Sequence, residues 1–93
     1  MSLDQHQESS IQKVTRTPVH RQVQEAIRQF ILENDLHPGS QLPREGQLAN
    51  LFGVSRNSVG EGVKALEVQG VVEVRVGAGL FVQEFSFEPI LET

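Results

Sequence analysis

The groups able to do chemistry in this chain are concentrated in residues 55–64, SRNSVGEGVK. Ser55 is placed to cap a helix by accepting from the free amides at its start. Arg56 follows directly, where those amides and the helix dipole already favour a phosphate. Asn57, Ser58 and Lys64 add polar groups nearby. No serine here has a plausible base and oxyanion site, so the segment reads as a binding face rather than a catalytic one.

The elements that must position this face follow from periodicity. Leu48, Ala49, Leu51 and Phe52 predict a short helix with one apolar face, broken at Gly53-Val54-Ser55. Val59, Val63 and Leu66 recur at i, i+4 and i+7, which leaves Arg56, Asn57, Gly60, Glu61 and Lys64 facing outward. Two helices around a tight glycine turn predict a helix-turn-helix over about 44–69, with its second helix at 55–69. Upstream, Thr17-Pro18 predicts a helix start with Thr17 as cap and Pro18 in the first helical position. Val23, Ile27, Phe30 and Ile31 form that helix's apolar stripe, with Arg21, Gln24, Glu25 and Arg28 opposite. It should stop near Asn34, before His37-Pro38-Gly39.

Downstream the period changes to two. Val72, Val74 and Val76 alternate with Glu73 and Arg75, predicting a strand with one buried face. Gly77-Ala78-Gly79 predicts a hairpin turn, and Leu80-Phe81-Val82-Gln83 the returning strand. A segment near Gln41-Leu42 is a candidate third strand. Three helices plus a β-hairpin wing at 71–83 give an α+β, mainly α, winged helix-turn-helix.

Composition sets bounds on function. Ninety-three residues suffice for one small core. The chain carries −4 formal charge. Residues 1–12 hold two acids and no base, and residues 84–93 hold three acids. Residues 13–83 hold eight bases against seven acids, hence +1. That balance is a weak footprint for nucleic acid, where a basic face supplies most non-specific affinity. Zero cysteines exclude disulfides, and His6, His20 and His37 lack metal-ligand spacing. No apolar run is long enough for a membrane span, and no secretory signal opens the chain, so a cytoplasmic setting is expected. Residues 1–15 are expected to be a flexible arm, 16–84 the folded domain, and 85–93 a linker. The apolar Phe85, Phe87, Ile90 and Leu91 in that acidic tail suggest that another domain follows.

The stretch 18–82 resembles the DNA-binding domain of the GntR family of bacterial transcription regulators. The residues that carry the resemblance are Leu42-Pro43, Glu45, Leu48-Ala49, Gly53-Val54-Ser55-Arg56, Val59, Glu61, Leu66-Glu67, Gly70 and the wing Gly77-x-Gly79-x-Phe81-Val82. The tail 85–91 looks like the linker of the FadR-like branch. The resemblance implies a sequence-specific regulator, a metabolite-responsive repressor, with helix 55–69 in the major groove of double-stranded DNA and the wing at the minor groove. It implies a homodimer on a palindromic operator. It also implies a small-molecule effector bound by a C-terminal domain outside this chain, and no enzyme. Arg56 matches the operator-contacting arginine, Asn57 and Ser58 the small polar positions beside it, and Gly77 with Gly79 the wing tip.

Each assignment has a competitor. Arg56 could pair with a nearby glutamate, Arg44 and Lys64 could be ordinary surface charges, and Asn57 and Ser58 could only stabilise a helix start. Arg75 could pair with Glu73, and the wing glycines serve turn geometry in any case. Arg16, Arg21 and Arg28 are phosphate candidates or a solvated face. Two departures stand out, because the family usually has arginine where this chain has Gly46 and Gly60. Arg44, where the family more often has a small residue, offers a partial replacement. Gly60 and Gly62 should each weaken a helix interior by about 1 kcal/mol relative to alanine. The competing function is a winged-helix protein-interaction module with weakened DNA binding.

Overall fold

The computed structural model of the protein describes residues 17–84. The arm at 1–15, Arg16 and the linker at 85–93 lie outside the described residues. Helix α1 spans Val19–Glu33, strand β1 Gln41–Leu42, helix α2 Glu45–Phe52, helix α3 Arg56–Val68, strand β2 Val72–Arg75 and strand β3 Gly79–Val82. The predicted winged helix, with its third strand at β1, is what the chain forms.

α1 starts one residue later than Thr17-Pro18 suggested. Pro18 is the residue before the helix, with extended ψ, and no side chain caps it. The Thr17 carbonyl instead accepts from the Gln22 side-chain amide at 2.9 Å. The stop is as expected, with Asn34 closing the helix and its side-chain amide donating to the Phe30 carbonyl at 2.9 Å.

Val23 and Ile27 of α1, Leu48 and Ala49 of α2, and Val59, Val63 and Leu66 of α3 form one core with Leu42, Val72, Leu80 and Val82 of the sheet. Burying side chains of this kind contributes roughly 1.5–3 kcal/mol each. Phe30, Ile31 and Phe52 pack against its margin. Leu51 does not, being 59% exposed. It sits at the edge of an arc that an eight-residue helix can only partly cover.

The sheet is antiparallel with order β1-β3-β2. Leu80 and Val82 point to the core while Phe81 shares the opposite face with its partners Gln41 and Glu73. The period-two reading of β2 holds for direction but not for burial. Val72 is fully buried, whereas Val74 is 40% and Val76 98% exposed. Val74 faces the core side at its rim, where it lines an open hollow beside Val63 and Glu67 of α3 and so is only partly covered. Val76 lies in the turn itself, where Gly77 has φ 80° and Gly79 φ 120°.

α1 and α3 approach each other closely at Gly62. A Cβ placed there would lie 2.6 Å from Val23 Cγ1 and 3.2 Å from the His20 carbonyl oxygen. Gly62 is therefore a packing requirement and not simply a weak helix residue. Gly60 differs, since its nearest neighbour to such a Cβ is Glu45 Oε1 at 3.7 Å. Gly62→Ala should lose about 1–2 kcal/mol of stability net, overpacking outweighing the gain in helix propensity. Gly60→Ala should gain up to about 1 kcal/mol. Urea unfolding of both variants checks the contrast, and equal effects would remove Gly62 from its packing role.

Candidate nucleic-acid interface

α2 ends because Gly53 adopts the left-handed region at φ 68°, ψ 36°, and its amide turns back to the Ala49 carbonyl. Val54 donates to the same carbonyl at 3.1 Å. Ser55 is extended, and its Oγ accepts from the Ser58 amide at 3.0 Å, which starts α3 as predicted. The Ser58 hydroxyl is also held, 3.0 Å from Ser55 Oγ. Both serines are thus occupied with the helix start, while Arg56 and Asn57 stand exposed beside them.

α2 opens differently. Arg44 has no side-chain acceptor for a cap, but the Gln47 side-chain oxygen reaches back to the Arg44 amide at 3.0 Å. The Arg44 side chain is left to point at the wing. A Cβ on Gly79 would sit 3.9 Å from Arg44 Cζ and 3.1 Å from Gln41 Nε2. Gln41 also donates to the Ala78 carbonyl at 3.1 Å, tying strand β1 to the wing turn. Gln41 has no signature that sequence could reveal, since its role depends on the β1–β3 register.

Arg56 lies across the first turn of α2, its Cζ 3.8 Å from where a Gly46 Cβ would be. Arg75 packs over the Phe81 ring at 4.0 Å and pairs with Glu73 at 3.2 Å. Such a half-exposed pair contributes little to stability, but it holds the guanidinium in place. These three arginines, with Gly77 and Gly79, border one open groove of about 240 Å³. Asn57 and Lys64 do not join them. They line a neighbouring hollow of about 370 Å³ whose other charged walls are Glu45, Glu61 and Glu67. Charge is thereby segregated along the face. The wing-side groove has three arginines to one glutamate (Glu45), and the hollow has one lysine to three glutamates.

Arg28 is drawn out of the candidate set. It donates to the Gln69 side-chain oxygen, and the Gln69 amide donates to Gln24 at 3.2 Å. Gln24 and Arg28, both half-buried, thus hold the C-terminal end of α3, while Glu25 on the same side of α1 faces solvent as expected. Arg21 is exposed on α1.

The family model described as bacterial regulatory proteins, gntR family, matches residues 19–82. The chain is 43% identical over 76 residues to the HTH-type transcriptional regulator Mce2R of Mycobacterium tuberculosis, covering 82% of this chain and 32% of that one. It is 39% identical over 67 residues to the mannosyl-D-glycerate transport/metabolism system repressor MngR of Escherichia coli, covering 72% and 28%. It thus spans about a third of the length of these curated relatives. Among solved structures it superposes on AraR(DBD) in complex with operator ORX1 with a TM-score of 0.66, at 33% identity over 72% of this chain and 81% of that one.

Because the Ser55 hydroxyl is used as a helix cap, Ser55→Ala should cost about 1 kcal/mol of folding stability. Ser55→Asp, which keeps an acceptor, should cost little. The midpoints of urea unfolding test this, and an unaffected Ser55→Ala would show that the cap bond contributes nothing.

Proposed function

Since the chain belongs to the GntR family of bacterial regulatory proteins, we propose that it is the DNA-reading part of a transcription regulator. The N-terminal end of α3 enters the major groove and the wing flanks it at the minor groove. The observation that supports this reading is the groove bordered by Arg44, Arg56 and Arg75. It gathers the cations at the one end of α3 where exposed amides and dipole already favour phosphate. The acidic hollow beyond it argues that the C-terminal half of α3 stays out of the groove, with Lys64 reaching at most a flanking phosphate. Asn57 lies next to Arg56 and is placed to reach a base edge, while Ser55 and Ser58 act through the helix start.

The relatives are about two and a half times as long, and the rest of the proposal concerns that larger protein. It is a homodimer on a palindromic operator, because one short helix buries too little surface for a unique genomic site. A small-molecule effector on a C-terminal domain changes the spacing or orientation of the paired DNA-binding domains. We favour a cytoplasmic repressor of the FadR-like branch, the branch resting on residues 85–91. Among the described residues no helix is long and apolar enough to cross a membrane. A protein-interaction module is the competing reading, and the acidic hollow is the observation in its favour.

Fluorescence-anisotropy titration against duplex from the protein's own promoter region, with random duplex as control and at several salt concentrations, separates the two. DNA reading predicts preference for the promoter and affinity that falls with salt. Arg56→Ala should then weaken promoter binding by about 1–3 kcal/mol without altering the unfolding midpoint. Promoter affinity that never exceeds that for random duplex, in this chain and in the full-length dimer, would favour the interaction module.

A further inference from the structure

Residues 56, 60 and 64 follow one another at four-residue spacing along the outward stripe of α3. Two are cations, and the middle one is Gly60. The gap over Gly60 is filled from another element. Glu45, the first residue of α2, brings its carboxylate there, with Oε1 3.7 Å and Oε2 3.9 Å from where a Gly60 Cβ would stand. Glu45 is half-buried and is the one charged residue lining both the arginine groove and the acidic hollow. Among the described residues its carboxylate has no hydrogen-bond donor, and the ion pair formed is Arg75 with Glu73. The face therefore presents donor, acceptor, donor along its length.

We propose that Glu45 is a specificity-determining residue that accepts a hydrogen bond from the exocyclic amino group of a cytosine in the major groove. The inference rests on the DNA reading above and assigns part of its sequence preference. A carboxylate at this place lowers affinity for any duplex, because it faces phosphates at short range. That loss is recovered only where a base offers an amino group, and cytosine N4 is the usual donor to a glutamate. First-turn stabilisation of α2 by its dipole would need only a negative charge near the helix start. It would not need the carboxylate turned across onto α3, with the groove on one side and the hollow on the other. An arginine at position 60 would neutralise this acceptor, so the glycine there leaves Glu45 available.

The test is selection of the 93-residue chain on a randomised duplex library at low salt, followed by sequencing, for wild type, Glu45→Gln and Gly60→Arg. The wild type should enrich C·G at one position of the recovered site by about tenfold. Glu45→Gln should bring that preference to within about twofold, while binding random duplex about two- to fivefold more tightly because a repelling charge is gone. Gly60→Arg should abolish the same preference with Glu45 still in place. Melting curves check that each variant is folded, and a merely structural role would weaken random and selected binding together. An unchanged C·G preference in both variants overturns the proposal. A wild-type chain that enriches no sequence overturns this inference, and the DNA reading itself falls if the full-length dimer enriches none either.

Discussion

The close approach of α1 to α3 at Gly62 is the contact on which the face depends. A helix can turn a polar stripe outward only if its opposite stripe is held, and Val59, Val63 and Leu66 are held by a layer that comes within backbone distance at one point. With no side chain at 62, Val23 and the His20 carbonyl lie directly on the helix. The bond that Gln69 accepts from Arg28 and the one it donates to Gln24 fix the far end of the same helix. α3 is thus pinned at its middle and its C-terminus, and its N-terminus is set by the Ser55 cap. What remains free to meet a partner is the outward stripe from Arg56.

Around that stripe, local charge matters more than the total. A chain of net −4 would be a poor candidate for a polyanion if its charges were evenly spread. They are not spread evenly. Arg44 comes from the start of α2, Arg56 from the start of α3 and Arg75 from the wing, and the fold sets them around one groove. The acidic residues of the same face gather at Glu61 and Glu67, one to three turns further along α3. Screening over about 8–10 Å at physiological salt allows such neighbouring patches to act with opposite sign. The interface is consequently a short positive edge rather than a broad basic surface.

Much of this was legible beforehand. The apolar spacing of α3, the Gly53 break, the Ser55 cap and the hairpin at Gly77-Ala78-Gly79 are local features, each set by a residue's own geometry or by a period of 3.6 or 2. Errors arose where burial depended on what lay opposite. Val74 keeps the strand alternation yet is 40% exposed at the rim of the core, and Val76, 98% exposed, falls in the turn rather than the strand. Leu51 lies at the rim of its stripe, and Pro18 stays outside the helix it was expected to open.

The sequence by itself determined which elements form and which polar residues leave the core, because periodicity and turn chemistry act over a few residues at a time. It also carried the family resemblance that the comparisons bear out. Only the tertiary structure decided which of those polar residues become neighbours. Arg44, Arg56 and Arg75 are 12 and 19 residues apart in order, and nothing local says that they share a groove. Nor could a glycine's cost in an isolated helix reveal that Gly62 admits Val23 while Gly60 admits the Glu45 carboxylate. Contacts between elements are fixed by packing geometry, and that geometry exists only once the core has closed.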